Sequence, residues 1–223
     1  MASAFTPLSP PTTMPTYQKF FHRILQKHFP QKSTSLQAQI DLEFAALQQD
    51  IRFGATSSNP MDRRMDIAGY FLATIKALDK EGIAYETIRS IVLEIAQEYV
   101  KPRSRFHLFL KQLPPKLIST RFGKMLINYF KTRFYENTHA EGFKVKIITD
   151  KTDTFGFGYG FDIVECGICK LFKKHDYQKF ASVLCEVDYI TSGLAGLTLI
   201  RTGTIATGAK ICDFRFQKNT DYS

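Results

Sequence analysis

The sequence lacks any apolar run of the roughly 18 residues that a membrane-spanning helix requires. Its first segment, MASAFTPLSPPTTMPT, has neither the basic region nor the apolar core of a secretory signal. The Pro, Ser and Thr content of this segment predicts a disordered tail over residues 1–16. Because no signal precedes them, the four cysteines are expected to be reduced thiols rather than a disulfide framework. We therefore expect a cytoplasmic protein.

Acidic residues are absent from one long stretch, residues 101–133, which contains nine Lys and Arg residues. This stretch accounts for the whole net charge of +9. Such a charge suits nucleic acid or an anionic membrane surface. No nucleic-acid-binding motif is present, however, and aromatic residues at helical spacing are typical of core contacts. We expect a solvated basic face without specific nucleic-acid binding, and attraction of acidic substrates is the alternative that stays open.

Helical periodicity dominates the first 134 residues. The pattern predicts helices over about 17–29, 35–53, 62–81, 85–100 and 117–134, with a break at Pro114 and Pro115. Downstream, Val145 and Ile147 alternate with lysines, as in a half-exposed strand. The order predicts an α+β fold in one compact domain: a helical part over 17–134, then over 135–217 a mainly antiparallel sheet with two inserted helices.

The residues suited to chemistry concentrate between Thr154 and Phe216, a stretch that contains all four cysteines. Glycine alternates with aromatic residues at its start, which predicts a strand over 155–164 with one nearly bare face. A short amphipathic helix, CGICKLFKKH, follows at once. Cys166 is therefore expected at a helix N-terminus, where unpaired N–H groups lower the pKa of a thiol.

The next helix is expected from Asp176, as N-cap, to about Ser192. It places Cys185, Asp188 and Tyr189 on one face, because they are three and four residues apart. Strands are expected over 197–200 and 211–216. In the last strand, Cys212, Phe214 and Phe216 point one way and Asp213 and Arg215 the other.

Each group of polar residues has a structural interpretation beside the functional one. Cys166, Cys169, Cys185 and Cys212 suit a metal site, buried structural thiols or a catalytic thiol. No metal is expected, since Cys185 lies in mid-helix beside Asp188. Acid–base and carboxylate-anchoring roles compete with structural ion pairs for Glu165, Asp188, Asp213, Arg201 and Arg215.

Four segments, ECGICKLFKKH, LCEVDY, LIRTGTIATG and CDFRF, share their order and spacing with a known signature. They resemble the C-terminal part of the L-2-amino-thiazoline-4-carboxylic acid hydrolase family over roughly the last third of the chain. Cys169 departs from the pattern. The recurring positions of the family fall here on Glu165, Cys166, Cys185, Asp188, Arg201, Thr202, Thr204, Gly208, Cys212, Asp213 and Arg215.

The resemblance implies a hydrolase that opens a small cyclic amidine or thiazoline carboxylate by cleaving a C–N bond. In the named family, 2-amino-thiazoline-4-carboxylate is opened to N-carbamoyl-cysteine. We expect no cofactor, and the resemblance implies a small-molecule carboxylate as the partner. The implied catalytic residues are Cys166 as nucleophile, Asp188 as general acid or base, and Cys185. The implied substrate-binding residues are Arg201, Thr202, Thr204, Asp213 and Arg215.

Two other functions stay open at this point. One is a biosynthetic cyclase or isomerase that uses the same scaffold and the aromatic residues near 155–161. The other is a small-molecule or metal-binding module without catalysis.

Overall fold

The computed structural model describes residues 16–118, 120–136 and 139–219. The expected disordered tail lies, up to residue 15, outside the described residues. The helices are α1 (Gln18–His28), α2 (Ser33–Ile51), α3 (Phe53–Thr56), α4 (Arg64–Lys80), α5 (Tyr85–Val100), α6 (Arg105–Leu117), α7 (Arg121–Tyr135), α8 (Gly167–Lys174) and α9 (Ala181–Leu194). The strands are β1 (Lys144–Ile148), β2 (Gly160–Glu165), β3 (Leu197–Ile200) and β4 (Cys212–Lys218).

The four strands form one antiparallel sheet in the order β1-β2-β4-β3. Alternation along each strand gives the sheet an apolar face and a polar face, because successive side chains point to opposite sides. Val145, Ile163 and Phe214 are buried on the apolar face. They join the helices in one hydrophobic core. The predicted α+β fold, with helices first and an antiparallel sheet after them, is confirmed.

Helix α4 is the centre of the helical layer. Met65, Leu72 and Ile75 are fully buried there, and burial of such a side chain contributes about 1.5–3 kcal/mol. The helix packs along α2 and ends before Gly82, whose φ of 74° is the left-handed conformation expected of a glycine that terminates a helix. The predicted helix over 85–100 is also confirmed, as α5.

The glycine-interleaved segment before β2 is a turn, so the predicted strand over 155–164 is wrong in its first half. Phe155, Gly156 and Gly158 have φ values of 49°, 81° and 76°, which strand residues do not adopt. Buried Thr154 holds the turn: its Oγ1 donates to the Asp150 carbonyl at 2.5 Å and accepts from the Gly158 N–H at 2.9 Å. Glycine serves here for positive φ rather than for a bare sheet face.

Two other helix boundaries differ from those expected. Helix α9 begins at Ala181 after a 3₁₀ turn, and Asp176 has a φ of 63°, so Asp176 is not its N-cap. Helix α6 continues through positions 114 and 115, so the expected break at this point is wrong. Proline fixes φ near the helical value, although it lacks the backbone N–H of a helix interior and usually kinks or ends a helix. The break falls at Thr120 instead, whose Oγ1 accepts from the Gly123 N–H at 3.0 Å and caps α7.

One buried amide connects the helical layer to the start of the sheet. Asn59 is fully buried, and its Nδ2 donates to the carbonyls of Phe143 at 2.9 Å and Phe134 at 3.3 Å. Its Oδ1 accepts from the Met61 N–H at 3.0 Å. The buried carboxylate of Asp62 accepts from the Phe143 N–H at 2.8 Å. These bonds fix β1 relative to the N-terminus of α4.

We expect Asn59→Ala to lower the free energy of unfolding by about 2–3 kcal/mol, because it leaves buried carbonyl oxygens without donors. The matched control is Asn128→Ala, which removes the same group from an exposed position of α7. Urea denaturation of both variants measures the difference. Equal stability of the two variants would show that the Asn59 amide does not hold the two layers together.

Candidate active site

A cavity of about 450 Å³ lies between the apolar face of the sheet and helices α4, α5, α8 and α9. Its volume falls within the range of about 300–1,000 Å³ that is usual for small-molecule sites. Most of its lining is aromatic or aliphatic, including Phe71, Phe143, Phe161 and Phe214. The ionisable groups that line it are Arg64, Cys166, Cys169, Cys185, Asp188, Tyr99, Arg201 and Cys212.

Cys166 is the N-cap of α8, as expected from the sequence. Its Sγ accepts from the Cys169 N–H at 3.5 Å. The hydrogen bond from the Cys169 thiol lowers the pKa of Cys166 most, and the N–H groups of Cys169 and Ile168 add to this against the effect of burial. These donors stabilise a thiolate at the wall of the cavity.

The residue after Cys166 explains how this helix end comes so close to α4. A Cβ on Gly167 would lie 2.8 Å from the sulfur of Met65 and 2.9 Å from the carbonyl oxygen of Glu141. No side chain fits there, so glycine allows the helix N-terminus to pack against α4. Glu165, on the other side of Cys166, forms an ion pair with Lys170.

The other three cysteines have raised pKa values. The hydrogen bond to Cys166 and burial raise the pKa of Cys169. Burial raises the pKa of Cys185 to about 12 and that of Cys212 to about 11. Cys185 donates to the Ala181 carbonyl at 3.7 Å. In the part of the chain that the structure describes, no group of three His, Cys, Asp or Glu residues is arranged to hold a metal, and the expected absence of a metal stays a prediction.

Asp188 and Arg201 form a partly buried ion pair at the cavity wall. Arg201 Nη1 donates to Asp188 Oδ2 at 2.9 Å, and its Nη2 donates to the Cys185 carbonyl at 2.9 Å. The guanidinium lies 4.9 Å from the ring of Tyr189 and 5.0 Å from that of Phe214, contacts that favour a cation. Burial raises the pKa of Asp188 despite the nearby Arg64 and Arg201 charges.

The main contact of Arg201 is therefore with Asp188, whose carboxylate it holds in position. Only 4% of its side chain is exposed, and its two terminal nitrogens already bond to protein oxygens. The expectation that Arg201 anchors the carboxylate of a substrate stays a prediction. Burial alone would lower the pKa of Arg201, but the Asp188 carboxylate raises it.

Arg64 is the cavity residue that the sequence analysis did not identify. It lies at the first position of α4, is exposed, and lines the cavity, where its charge acts on Asp188 of α9. No carboxylate of the described residues pairs with it within 4 Å. Its helical spacing with Ile67, Ala68 and Phe71, which also line the cavity, is the signal that would have found it.

The remaining candidate residues organise the loop after β3. The Asp213 carboxylate accepts from the N–H groups of Thr202 and Gly203, each at 3.0 Å. Although burial opposes it, the Thr202 backbone bond lowers the pKa of Asp213. Thr204 Oγ1 accepts from the Thr207 N–H at 3.2 Å and caps a 3₁₀ turn. Thr202 and Thr204 line a second pocket of about 300 Å³, which also contacts Cys185 and Arg201.

Arg215 lies on the polar face of the sheet. It donates to Asp162 Oδ1 at 2.8 Å and to the Asp153 carbonyl at 2.9 Å, and so holds the turn before β2. Neither Arg215 nor Asp213 lines the cavity. Their expected role in substrate binding stays a prediction, and the contacts seen are structural.

Residues 63–216 match the sequence model of L-2-amino-thiazoline-4-carboxylic acid hydrolase. This match covers most of the chain, so the protein belongs to that family and is a hydrolase that acts on a non-peptide bond. The match extends far upstream of the recognised signature and includes Arg64. Neither the curated proteins nor the solved structures give a significant match. None of the described helices is long and apolar enough to cross a membrane.

We expect Cys169→Ala to raise the pKa of Cys166, because the variant loses the thiol donor that lowers it most. Cys169→Ser keeps a side-chain donor and is the matched control. Since only the thiolate reacts with iodoacetamide, the pH curve of Cys166 labelling, read by peptide mass spectrometry, should move to higher pH in Cys169→Ala. Identical curves for both variants, or faster labelling of Cys185, would contradict this arrangement.

Proposed function

We propose that this hydrolase opens a small cyclic amidine or thiazoline carboxylate, such as 2-amino-thiazoline-4-carboxylate, by attack of the Cys166 thiolate on the amidine carbon. The main support is one observation. Of the four cysteines, all of them described, only Cys166 has a lowered pKa, and its thiol lines the cavity that Asp188 and Arg64 also line. A nucleophile, a proton carrier and a cation are the groups that this chemistry needs.

In the first step, Cys166 Sγ forms a bond to the amidine carbon. The electron pair of the carbon–nitrogen π bond moves to nitrogen, which takes a proton from Asp188. A raised pKa suits Asp188 to this role, because burial makes its carboxyl hold a proton at higher pH than usual. The bond from Arg201 Nη1 orients the carboxyl while leaving its other oxygen available to the substrate.

The tetrahedral carbon is bonded to both ring heteroatoms, so either ring bond can break. Cleavage of the C–N bond, the expectation from the sequence, releases an amine and leaves the carbon on the ring sulfur. Formation of N-carbamoyl-cysteine leaves the carbon on nitrogen instead, which requires cleavage of the C–S bond and releases a thiol. In both cases water then displaces Cys166, and its oxygen remains on the carbamoyl carbon. Titration of the product for a thiol identifies the bond that breaks.

Arg64 is the better candidate for the carboxylate anchor. An exposed guanidinium at the cavity wall can bind a carboxylate through two parallel hydrogen bonds. Arg201 would have to give up Asp188 or the Cys185 carbonyl to do the same. We therefore assign substrate binding to Arg64 and the positioning of Asp188 to Arg201.

The lining of the cavity favours a second candidate within the same scaffold. Phe161 stacks on Phe214 with ring centroids 4.4 Å apart, and Phe216 lies beside them. Such an aromatic wall suits a substrate with an apolar substituent on its heterocycle. A biosynthetic cyclase or isomerase acting on a larger amidine would use the same thiol and carboxyl, and would show turnover without consumption of water.

We expect Cys166→Ser to reduce kcat/KM for 2-amino-thiazoline-4-carboxylate by about 10³-fold or more, since a serine hydroxyl at this position is not ionised near neutral pH. Cys185→Ser is the matched control, because that thiol lines the same cavity but has a pKa of about 12, and most activity should remain. Circular dichroism checks that both variants fold. Full activity of Cys166→Ser would transfer the role to water activated by Asp188.

A further inference from the structure

Helices α6 and α7 expose large apolar side chains that no other part of the described chain covers. Phe106 is 69% exposed and Met125 is 61% exposed. The exposed set, which we call the α6–α7 face, is Phe106, Phe109, Leu110 and Leu117 on α6 and Phe122, Met125, Leu126 and Tyr129 on α7. The expectation that aromatic residues of this stretch make core contacts is therefore wrong for most of them.

The spacing of these residues makes one apolar stripe on each helix. Phe106, Phe109 and Leu110 are three and four residues apart, and the same interval recurs at Phe122, Met125 and Leu126. Residues at this interval lie on one side of a helix. Large apolar side chains that gather in an exposed stripe indicate a binding surface, whereas singly scattered ones do not.

The charge of the same helices indicates the partner. Residues 101–133 contain nine basic residues and no acidic one. Arg105 and Lys116 follow one border of the α6 stripe, as their positions on the helical wheel require. Lys116 Nζ lies 5.9 Å from the ring of Phe109, and the Arg133 guanidinium lies 4.8 Å from the ring of Tyr129. Apolar and cationic side chains therefore lie next to each other on each of the two helices.

We propose that the α6–α7 face docks this protein on an anionic lipid membrane. The apolar stripes would enter the boundary between headgroups and acyl chains, and the Lys and Arg side chains would pair with anionic headgroups. A second copy of this chain fits less well, because a symmetric contact would bring like charges together. A nucleic acid would bind the Lys and Arg side chains but would leave Phe106, Met125 and Leu126 exposed to water.

The α6 part of the face follows the cavity wall closely along the chain. Tyr99 and Val100 line the cavity at the end of α5, and α6 begins at Arg105. Tyr99 is itself exposed. A docked enzyme would thus hold this part of the cavity wall near the lipid surface.

The test is co-sedimentation of the full chain with vesicles of phosphatidylcholine, with and without phosphatidylserine. We expect binding only to the anionic vesicles, falling steeply with added salt. Phe106→Ser combined with Phe122→Ser should weaken binding about tenfold or more. The matched control is Leu42→Ser, which alters an equally exposed apolar residue on α2 and should not change binding.

A second variant tests the charge. Lys116→Glu combined with Arg121→Glu should weaken binding to a similar degree, whereas Lys151→Glu, at an exposed position outside the face, should have little effect. Equal binding to both vesicle types, or no binding to either, would overturn the proposal. So would a stable dimer that dissociates in the Phe106→Ser, Phe122→Ser variant, or salt-sensitive binding of RNA that this variant retains. None of these outcomes depends on the proposed reaction.

Discussion

The hydrogen bonds that Cys166 accepts at the N-terminus of α8 are the interaction on which the rest of the site depends. Burial of a thiol normally opposes its ionisation, and Cys185 and Cys212 show that effect. The pKa of Cys166 is lowered nevertheless, because the Cys169 thiol and backbone N–H groups of the same helix donate to its sulfur. A short helix thus lowers the pKa of one of the four cysteines, while the pKa values of the other three are raised.

The two arginines that line the cavity differ in how far they are buried and in what they bond to. The Arg201 side chain is buried beside two aromatic rings and bonded to Asp188, so its charge holds the carboxyl of Asp188 in place. Arg64 is exposed and has no such bonds among the described residues, so its charge is free to meet a substrate. This division follows from burial, because removing a paired charge from a buried site costs far more than changing a solvated one.

Patterns in the sequence predicted the parts of the fold that depend on interactions between residues close in the chain. Cys166 at a helix start, the helix over 85–100 and the inward Cys212 and Phe214 all follow from spacing within a few residues. The turn at 155–158 was mistaken for a strand because glycine at every second position serves either a bare face or repeated positive φ. The hydrogen bonds of Thr154 decide in favour of the turn, and the alternation of residue types in the sequence does not reveal those bonds.

Which of the candidate residues line the cavity depends on the tertiary structure. Strand alternation already places Asp213 and Arg215 on the opposite face from Cys212, so these residues and the cavity thiols cannot line one cavity. The family signature nevertheless groups them, because it records sequence proximity and not sides of a sheet. The spacing within α4 puts Arg64 on the same face as other cavity residues, whereas the exposure of α6 and α7 depends on which elements pack together, and no pattern within one helix decides that.

The most direct test of this account is a crystal structure of the Cys166→Ser variant with 2-amino-thiazoline-4-carboxylate bound. We predict that the ring lies in the cavity beside Phe161 and Phe214 and that the carboxylate binds the Arg64 guanidinium. The amidine carbon should lie within van der Waals contact of the hydroxyl that replaces the Cys166 thiol. A substrate bound instead at Thr202 and Thr204, or with its carboxylate on Arg215 at the polar face of the sheet, would contradict it.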